Sequence, residues 1–142
     1  MNKTLNIFLV DDDPLYLAVL KTSLEAQPNF VIKTFASGEQ CIAELHKTTD
    51  VVVLDYQLDS VDKLAMNGLE VLKQIKATHP KLPVILLSSQ DSIEVAVTCM
   101  HHQASDYVVK SETAFIRLKK IIKDLSEHKE IEEALEWYMA KL

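Results

Sequence analysis

Three consecutive acids, Asp11, Asp12 and Asp13, follow one short apolar run; Asp55 follows another, Ser88 and Ser89 a third, and Lys110 a fourth. These residue types could together transfer a phosphoryl group. A carboxylate can act as the nucleophile and form an aspartyl phosphate, which makes Asp55 the candidate acceptor. Negative charge spreading over the phosphoryl oxygens needs cationic groups around it, and Lys110 is the candidate ammonium. Asp11, Asp12 and Asp55 brought together would repel and raise one another's pKa, a conflict that a hard cation resolves. Mg²⁺ suits the set, because it takes octahedral oxygen ligands from one or two carboxylates, waters and a phosphate oxygen. A hydroxyl at Ser88 could then donate to a phosphoryl oxygen and draw its loop inward.

The elements that must position these residues are readable from apolar patterning. Stretches rich in Val, Ile and Leu at Asn6–Val10, Phe30–Phe35, Asp50–Leu54, Pro83–Leu87 and Asp106–Val109 suit buried strands. Helical segments alternate with them. Asp13-Pro14 is a helix start, with Leu17, Leu20 and Leu24 following at helical spacing and Pro28 closing the segment. Ser37 to Gln40 has the form of a capping box, with Ile42 and Leu45 inward. Leu69, Leu72 and Ile75 mark a third helix that stops before Pro80. Ser92 caps a fourth, with Ile93, Ala96, Val97 and Met100 as its expected inner stripe, and a fifth runs from about Glu112 with Phe115, Leu118, Ile122 and Leu125 inward. Alternation of this kind implies an α/β fold: a flavodoxin-like, doubly wound, five-stranded parallel sheet of order 2-1-3-4-5 with helices on both faces. In a parallel sheet all strand C-terminal ends share one edge, and that edge would gather the acids, serines and lysine into one site. Asp13, just before Pro14, reads better as a helix cap.

Composition narrows the function classes. At 142 residues with 48% apolar and 25% charged side chains, the chain suits one compact globular domain. A net charge of −6 without a basic stripe argues against direct nucleic-acid binding. The apolar runs are too short to span a bilayer, and the first residues do not read as a secretory signal, so a cytoplasmic location is expected. Cys41 and Cys99 have no metal-ligand spacing and read as reduced, partly buried small hydrophobes. His101 and His102 end a helical segment, where the helix dipole favours them. No glycine-rich loop is present to cradle a nucleotide. Residues 127–142 form an amphipathic C-terminal helical extension, with Ile131, Leu135, Tyr138, Met139 and Leu142 along a narrow apolar face, beyond a domain of residues 1–126. Irregular spacing around Ser126-Glu127-His128 leaves open whether this helix continues the fifth.

The ordered set FLVDDDP, VVVLD, VILLSSQ and DYVVK resembles the signature segments of two-component response-regulator receiver domains, over about residues 5 to 125. The resemblance implies a phosphoacceptor signalling domain rather than a metabolic enzyme. It would take a phosphoryl group onto Asp55 from a phosphohistidine on a sensor histidine kinase or histidine phosphotransfer protein, with Mg²⁺ as cofactor, and would later hydrolyse it. Asp12 would bind the metal directly, Asp11 mainly through water, and the Gln57 backbone carbonyl would be a further ligand. Ser88 resembles the switch hydroxyl, Lys110 the characteristic lysine and Tyr107 the aromatic switch on the fifth strand. Gln57 and Gln90 would tune the dephosphorylation rate. Signalling and a homodimer would be expected through helix 4, strand 5 and helix 5, or through the C-terminal helix.

Two departures from the family pattern stand out. The segment from Asp55 to Gly68 lacks the usual Met-Pro and is about five residues longer than usual, although loop extension itself costs little entropy. Ser111 replaces the proline that usually follows the lysine, so a trans Lys110–Ser111 bond is expected, since the cis form before serine costs about 3 kcal/mol. Two other readings compete. One is a pseudo-receiver that binds a partner without phosphorylation, which the long loop leaves room for. The other is a flavodoxin-like small-molecule binder, which would need a Gly/Ser/Thr-rich loop where this chain has three aspartates.

Overall fold

The computed structural model describes residues 3–142, so the first two residues of the expected 1–126 unit lie outside it. Strands β1 (Leu5–Val10), β2 (Phe30–Phe35), β3 (Val51–Asp55), β4 (Val84–Ser88) and β5 (Asp106–Val109) alternate with helices α1 (Pro14–Glu25), α2 (Gly38–Glu44), α3 (Gly68–Thr78), α4 (Ile93–His101) and α5 (Ala114–Ala140). The strands form one parallel sheet in the order β2-β1-β3-β4-β5, as expected. Relative to the sequence reading, β3 and β4 each extend one residue further, so Asp55 and Ser88 are the last residues of their strands.

Side-chain alternation divides the core into two layers. Ile7, Leu9, Val51, Val53, Ile85, Leu87 and Val108 pack under Leu17, Leu20 and Leu24 of α1 and Ala114, Leu118 and Ile122 of α5. Their neighbours Phe8, Val10, Val52, Leu54, Val84 and Leu86 point the other way, against Cys41 of α2, Val71, Leu72 and Ile75 of α3 and Cys99 of α4. Covering the strands on both faces excludes water from the ladder and leaves the C-terminal edge as the open rim.

Local signals set most helix starts. The Asp13 carboxylate accepts from the N–H groups of Leu15 and Tyr16 at 3.1 and 3.2 Å, and Ser92 Oγ accepts from Val95 N–H at 3.3 Å. Ser37 Oγ caps α2 through Gln40 N–H, but the returning Gln40 Oε1 accepts from Ala36 N–H rather than Ser37 N–H, so the expected box is only half formed. A complete box instead opens α3, where Asn67 and Glu70 satisfy each other's backbone N–H groups.

Helix α4 corrects one expectation. Ile93, Val97 and Met100 are 82, 60 and 47% exposed, and the inner side is formed by Val95 and Cys99. Apolar residues surround most of this short helix, so periodicity alone does not single out one face. The sheet side goes to the smaller residues, with Cys99 fully buried in the same cluster as Ala104 and Tyr107. Both cysteines are free, and they are fully rather than partly buried.

Helix α5 runs unbroken through Ser126-Glu127-His128 to Ala140. Burial stops at Ser126, and every residue from Glu127 onward is exposed. The extension touches the body through Lys129, whose Nζ lies 3.4 Å from Asp50 Oδ1, and through Glu133, whose Oε2 lies 3.9 Å from Lys3 Nζ. Among the described residues, no helix is long and apolar enough to cross a membrane.

Candidate functional site

The rim at the strand C-terminal ends brings Asp11, Asp12, Asp55 and Lys110 together. Carboxylate oxygens of Asp11, Asp12 and Asp55 lie within 4.8 Å of one another. Asp11 is held by the neighbouring strand and by its own turn: its N–H donates to the carbonyl of Phe35 at the end of β2 at 3.1 Å, and its Oδ1 accepts from Asp13 N–H at 2.9 Å. Asp55 ends the fully buried β3, where Gln57 N–H donates to its Oδ1 at 3.3 Å. Lys110 follows β5, whose register is locked by Lys110 N–H donating to Ser88 carbonyl at 2.7 Å. Its Nζ reaches Asp11 Oδ2 at 3.0 Å and Asp55 Oδ1 at 3.5 Å. No cis peptide bond occurs among the described residues, so Lys110–Ser111 is trans as expected.

Burial sharpens the electrostatics. Asp11 and Asp55 are 2 and 4% exposed. Burial, then the neighbouring Asp11 charge, push the Asp55 carboxyl up to about 7, against the opposing pull of Lys110 and the Gln57 N–H. Burial alone would lower Lys110, but its bond to Asp11 and the two carboxylate charges outweigh that and hold it above its ordinary value. Three carboxylates face one ammonium, a donor set of excess negative charge and hard oxygens that fits a divalent cation such as Mg²⁺. The Gln57 carbonyl sits on the adjoining turn, 3.5 Å from Ser60 Oγ.

The remaining expected residues occupy the rim unevenly. Ser89, rather than Ser88, borders the open groove, and its Oγ donates to Gln57 Oε1 at 3.0 Å. Ser88 is fully buried, with its Oγ accepting from Gln90 N–H at 3.0 Å. Tyr107 points its hydroxyl to the Gln90 carbonyl at 2.6 Å, linking β5 to the loop after β4. Asp13 is the α1 cap, as its place before Pro14 implied.

Sequence reasoning missed several participants. The Tyr16 ring lies 4.3 Å from Lys110 Nζ, a cation–π contact that narrows the lysine's range of positions; no local signal joins residues so far apart in the chain. Asp12 Oδ2 accepts from the N–H groups of Ser60 and Val61 at 3.1 and 3.3 Å, so the long β3–α3 loop reaches into the site. Gly68 allows the close return of that loop: its N–H donates to Tyr56 carbonyl at 2.8 Å, and a Cβ would lie 2.5 Å from both the Asp55 carbonyl oxygen and Tyr56 Cα. Both contacts are backbone and cannot rotate away. Gly68→Ala is therefore expected to destabilise the protein by about 1 to 3 kcal/mol and to weaken Mg²⁺ binding by displacing Asp55, measured by urea unfolding and calorimetric titration.

The profile of the response regulator receiver domain matches residues 7–123. The DNA-binding transcriptional regulator NtrC of Salmonella typhimurium is 36% identical over 105 residues, covering 73% of this chain and 21% of the relative. The probable transcriptional regulatory protein TcrX of Mycobacterium tuberculosis is 31% identical over 121 residues, 82% of this chain and 49% of its own length. The chain thus spans about a fifth of the NtrC relative and about half of TcrX. Among solved structures, the response regulator DrrB of Thermotoga maritima is 30% identical with a TM-score of 0.75, over 89% of this chain and 54% of that one. The signal receiver domain of a LuxO repressor protein from Vibrio parahaemolyticus, 21% identical, shares the fold with a TM-score of 0.80 over 94% of this chain and 98% of its own.

Proposed function

This chain belongs to the response-regulator receiver family of two-component signalling, and on that premise we propose that it is a phosphorylatable switch whose acceptor is Asp55. The observation that carries the proposal is the meeting of Asp11, Asp12, Asp55 and Lys110 on one sheet edge, with the acceptor buried at the end of β3. Receiver domains work with histidine kinases or phosphotransfer proteins, so the donor is a phosphohistidine. An Asp55 carboxylate oxygen forms the new O–P bond as the P–N bond breaks, and the departing imidazole nitrogen keeps the electron pair and takes a proton. Asp12, Asp55 and the Gln57 carbonyl would hold Mg²⁺ directly, with Asp11 acting mainly through water. When bound, the cation neutralises the carboxylates and the incoming phosphoryl oxygens. Lys110 covers the opposite side of the developing charge.

The protein's own groups then couple acceptor to surface. Ser88 lies one strand over from Asp55, and its loop carries Gln90, whose carbonyl holds the Tyr107 hydroxyl. Movement of the Ser88 hydroxyl towards phosphate would shift that loop and with it Tyr107, a two-position element biased by local charge. Gln57 and Gln90, two residues beyond Asp55 and Ser88, would tune the lifetime of the acyl phosphate.

The receiver spans residues 1–126, and 127–142 are an amphipathic helical extension that continues α5. Its exposed face of Ile131, Leu135, Tyr138, Met139 and Leu142 suits pairing with a second copy of this helix; the exposed α4 residues Ile93 and Val97 offer a separate apolar surface on the signalling face. Such signalling belongs inside the cell, where kinase and phosphodonor meet. Light scattering across a concentration series, with and without a phosphoryl mimic, is expected to show a dimer; a monomer throughout would count against pairing.

The central test is intact-mass measurement after incubation with a small phosphodonor and Mg²⁺. Wild type is expected to gain one phosphoryl group and Asp55→Ala none. An unmodified wild type would instead favour the pseudo-receiver reading, and equal labelling of the variant would remove Asp55 as the acceptor.

A further inference from the structure

Residues 56–67 are longer than the connection a receiver needs, yet they are not loosely draped. Leu58 is 2% exposed and anchors the near end. Met66 N–H donates to Glu39 Oε2 at 3.1 Å, and Gly68 N–H to Tyr56 carbonyl at 2.8 Å, closing the far end. Between these anchors no apolar side chain is buried: Val61 and Leu64 are 80 and 95% exposed. What holds the middle of the loop over the site is a pair of backbone N–H groups, those of Ser60 and Val61, both donating to Asp12 Oδ2.

We infer that the loop is a working part of the cation site, its Ser60 and Val61 N–H groups acting as positioning groups that fix the Asp12 carboxylate for a divalent cation. This rests on the receiver reading above, in which Asp12 is a metal ligand, and extends it to a segment the family pattern does not supply. Two donors converge on a single oxygen, Oδ2, and among the described residues Asp12 Oδ1 has no hydrogen-bond partner. Oδ1 is therefore the oxygen available to the cation. A carboxylate on a strand-end turn rotates freely in water; two converging N–H groups restrict it to one orientation and reduce the ordering still required when the cation binds. The Ser60 hydroxyl adds a weaker link, 3.5 Å from the Gln57 carbonyl, so one short turn touches two of the expected ligands. Coupling of this kind is reciprocal: if the loop aids the cation, the cation must equally firm the loop.

The inference is tested by removing each N–H without removing the carboxylate. Ser60→Pro and Val61→Pro are expected to weaken Mg²⁺ binding by 10- to 100-fold, about the range for loss of an outer-shell partner, in calorimetric titrations. Lys63→Pro is the control: Lys63 is exposed in a turn, and its N–H donates to nothing among the described residues, so its affinity is expected to match wild type. Amide exchange supplies a readout that needs no substitution in the loop. In wild type the Ser60 and Val61 amides are expected to be protected, more so on adding Mg²⁺, and Asp12→Ala is expected to abolish that protection. Unchanged or tighter Mg²⁺ binding in both loop variants, or exchange indifferent to Mg²⁺ and to Asp12→Ala, would overturn the inference while leaving the phosphoacceptor assignment standing on its mass measurement. A wild type that binds no Mg²⁺ would overturn both.

Discussion

Lys110→Met is expected to slow phosphorylation of Asp55 by about 10²- to 10³-fold, the usual consequence of removing one preorganised group that meets developing negative charge. Methionine keeps most of the stem's volume and removes only the charge. Nothing else can substitute for it: among the described residues Lys110 is the one cation paired with the Asp11 and Asp55 carboxylates, held by them on one side and by the Tyr16 ring on the other. The same substitution leaves two buried carboxylates facing each other. Breaking a buried pair exposes the desolvation that the partner had offset, and with Lys110 still 18% exposed the expected loss is about 2 to 3 kcal/mol at pH 8 without metal. Added Mg²⁺ should recover much of that stability but not the rate, because a cation held by Asp12 and Asp55 would neutralise the carboxylates without replacing the Lys110 ammonium. Rates from time-resolved intact-mass measurement and urea unfolding with and without Mg²⁺ separate the two effects. A variant that labels at nearly the wild-type rate would show that Lys110 serves only to neutralise the resting site.

Asp55→Asn is expected to stabilise the metal-free protein at pH 8 while abolishing labelling. The sign is opposite to that of a usual surface aspartate. Burial and Asp11 raise the folded carboxyl from 3.8 to about 7, so between about pH 4 and 7 the folded state holds a proton that the unfolded chain has released. Stability contributed by this group therefore falls as pH rises through that window, and above it the site carries the full penalty of a buried, crowded carboxylate. Asparagine cannot ionise and removes this dependence. At 1.36 kcal/mol per pKa unit, a gain of about 2 kcal/mol or more is expected at pH 8. Mg²⁺ acts in the same direction on wild type, since it binds the ionised form, and should have far less effect on the variant. Thermal unfolding from pH 4 to 8, with and without Mg²⁺, measures all three curves. A wild type whose metal-free stability rises steadily from pH 5 to 8 relative to Asp55→Asn would contradict the raised carboxyl.

Much of this architecture was legible in the chain because its signals are local. Apolar runs bounded by caps and prolines gave five strand–helix pairs, and the parallel arrangement then required Asp11, Asp55, Ser88 and Lys110 to share an edge, whatever the side chains do. Caps such as Asp13 and Ser92 were equally readable, since the donor and acceptor lie within one turn. The Asn67–Glu70 box obeys the same local rule and closes fully, whereas the one at Ser37 closes only halfway.

What the sequence could not decide depends on distances between residues far apart in it. Helix α4 carries apolar residues around most of its surface, and only packing against Ala104 and Tyr107 turned Cys99 inward and left Ile93 and Val97 in solvent. The break in spacing at Ser126 to His128 leaves the continuity of the helix open in sequence, but backbone hydrogen bonds do not need an apolar stripe, and α5 continues to Ala140 without one facing the core. The long loop is the sharpest case. Its length and polarity showed that something had been added beside Asp55; that its Ser60 and Val61 N–H groups close on Asp12, some 48 and 49 residues away, follows from the fold alone. Residue types and their order determined the chemistry available to this protein. Tertiary structure decided which backbone groups surround that chemistry, because backbone N–H groups are present at nearly every residue and carry no mark in the sequence until the fold aims them.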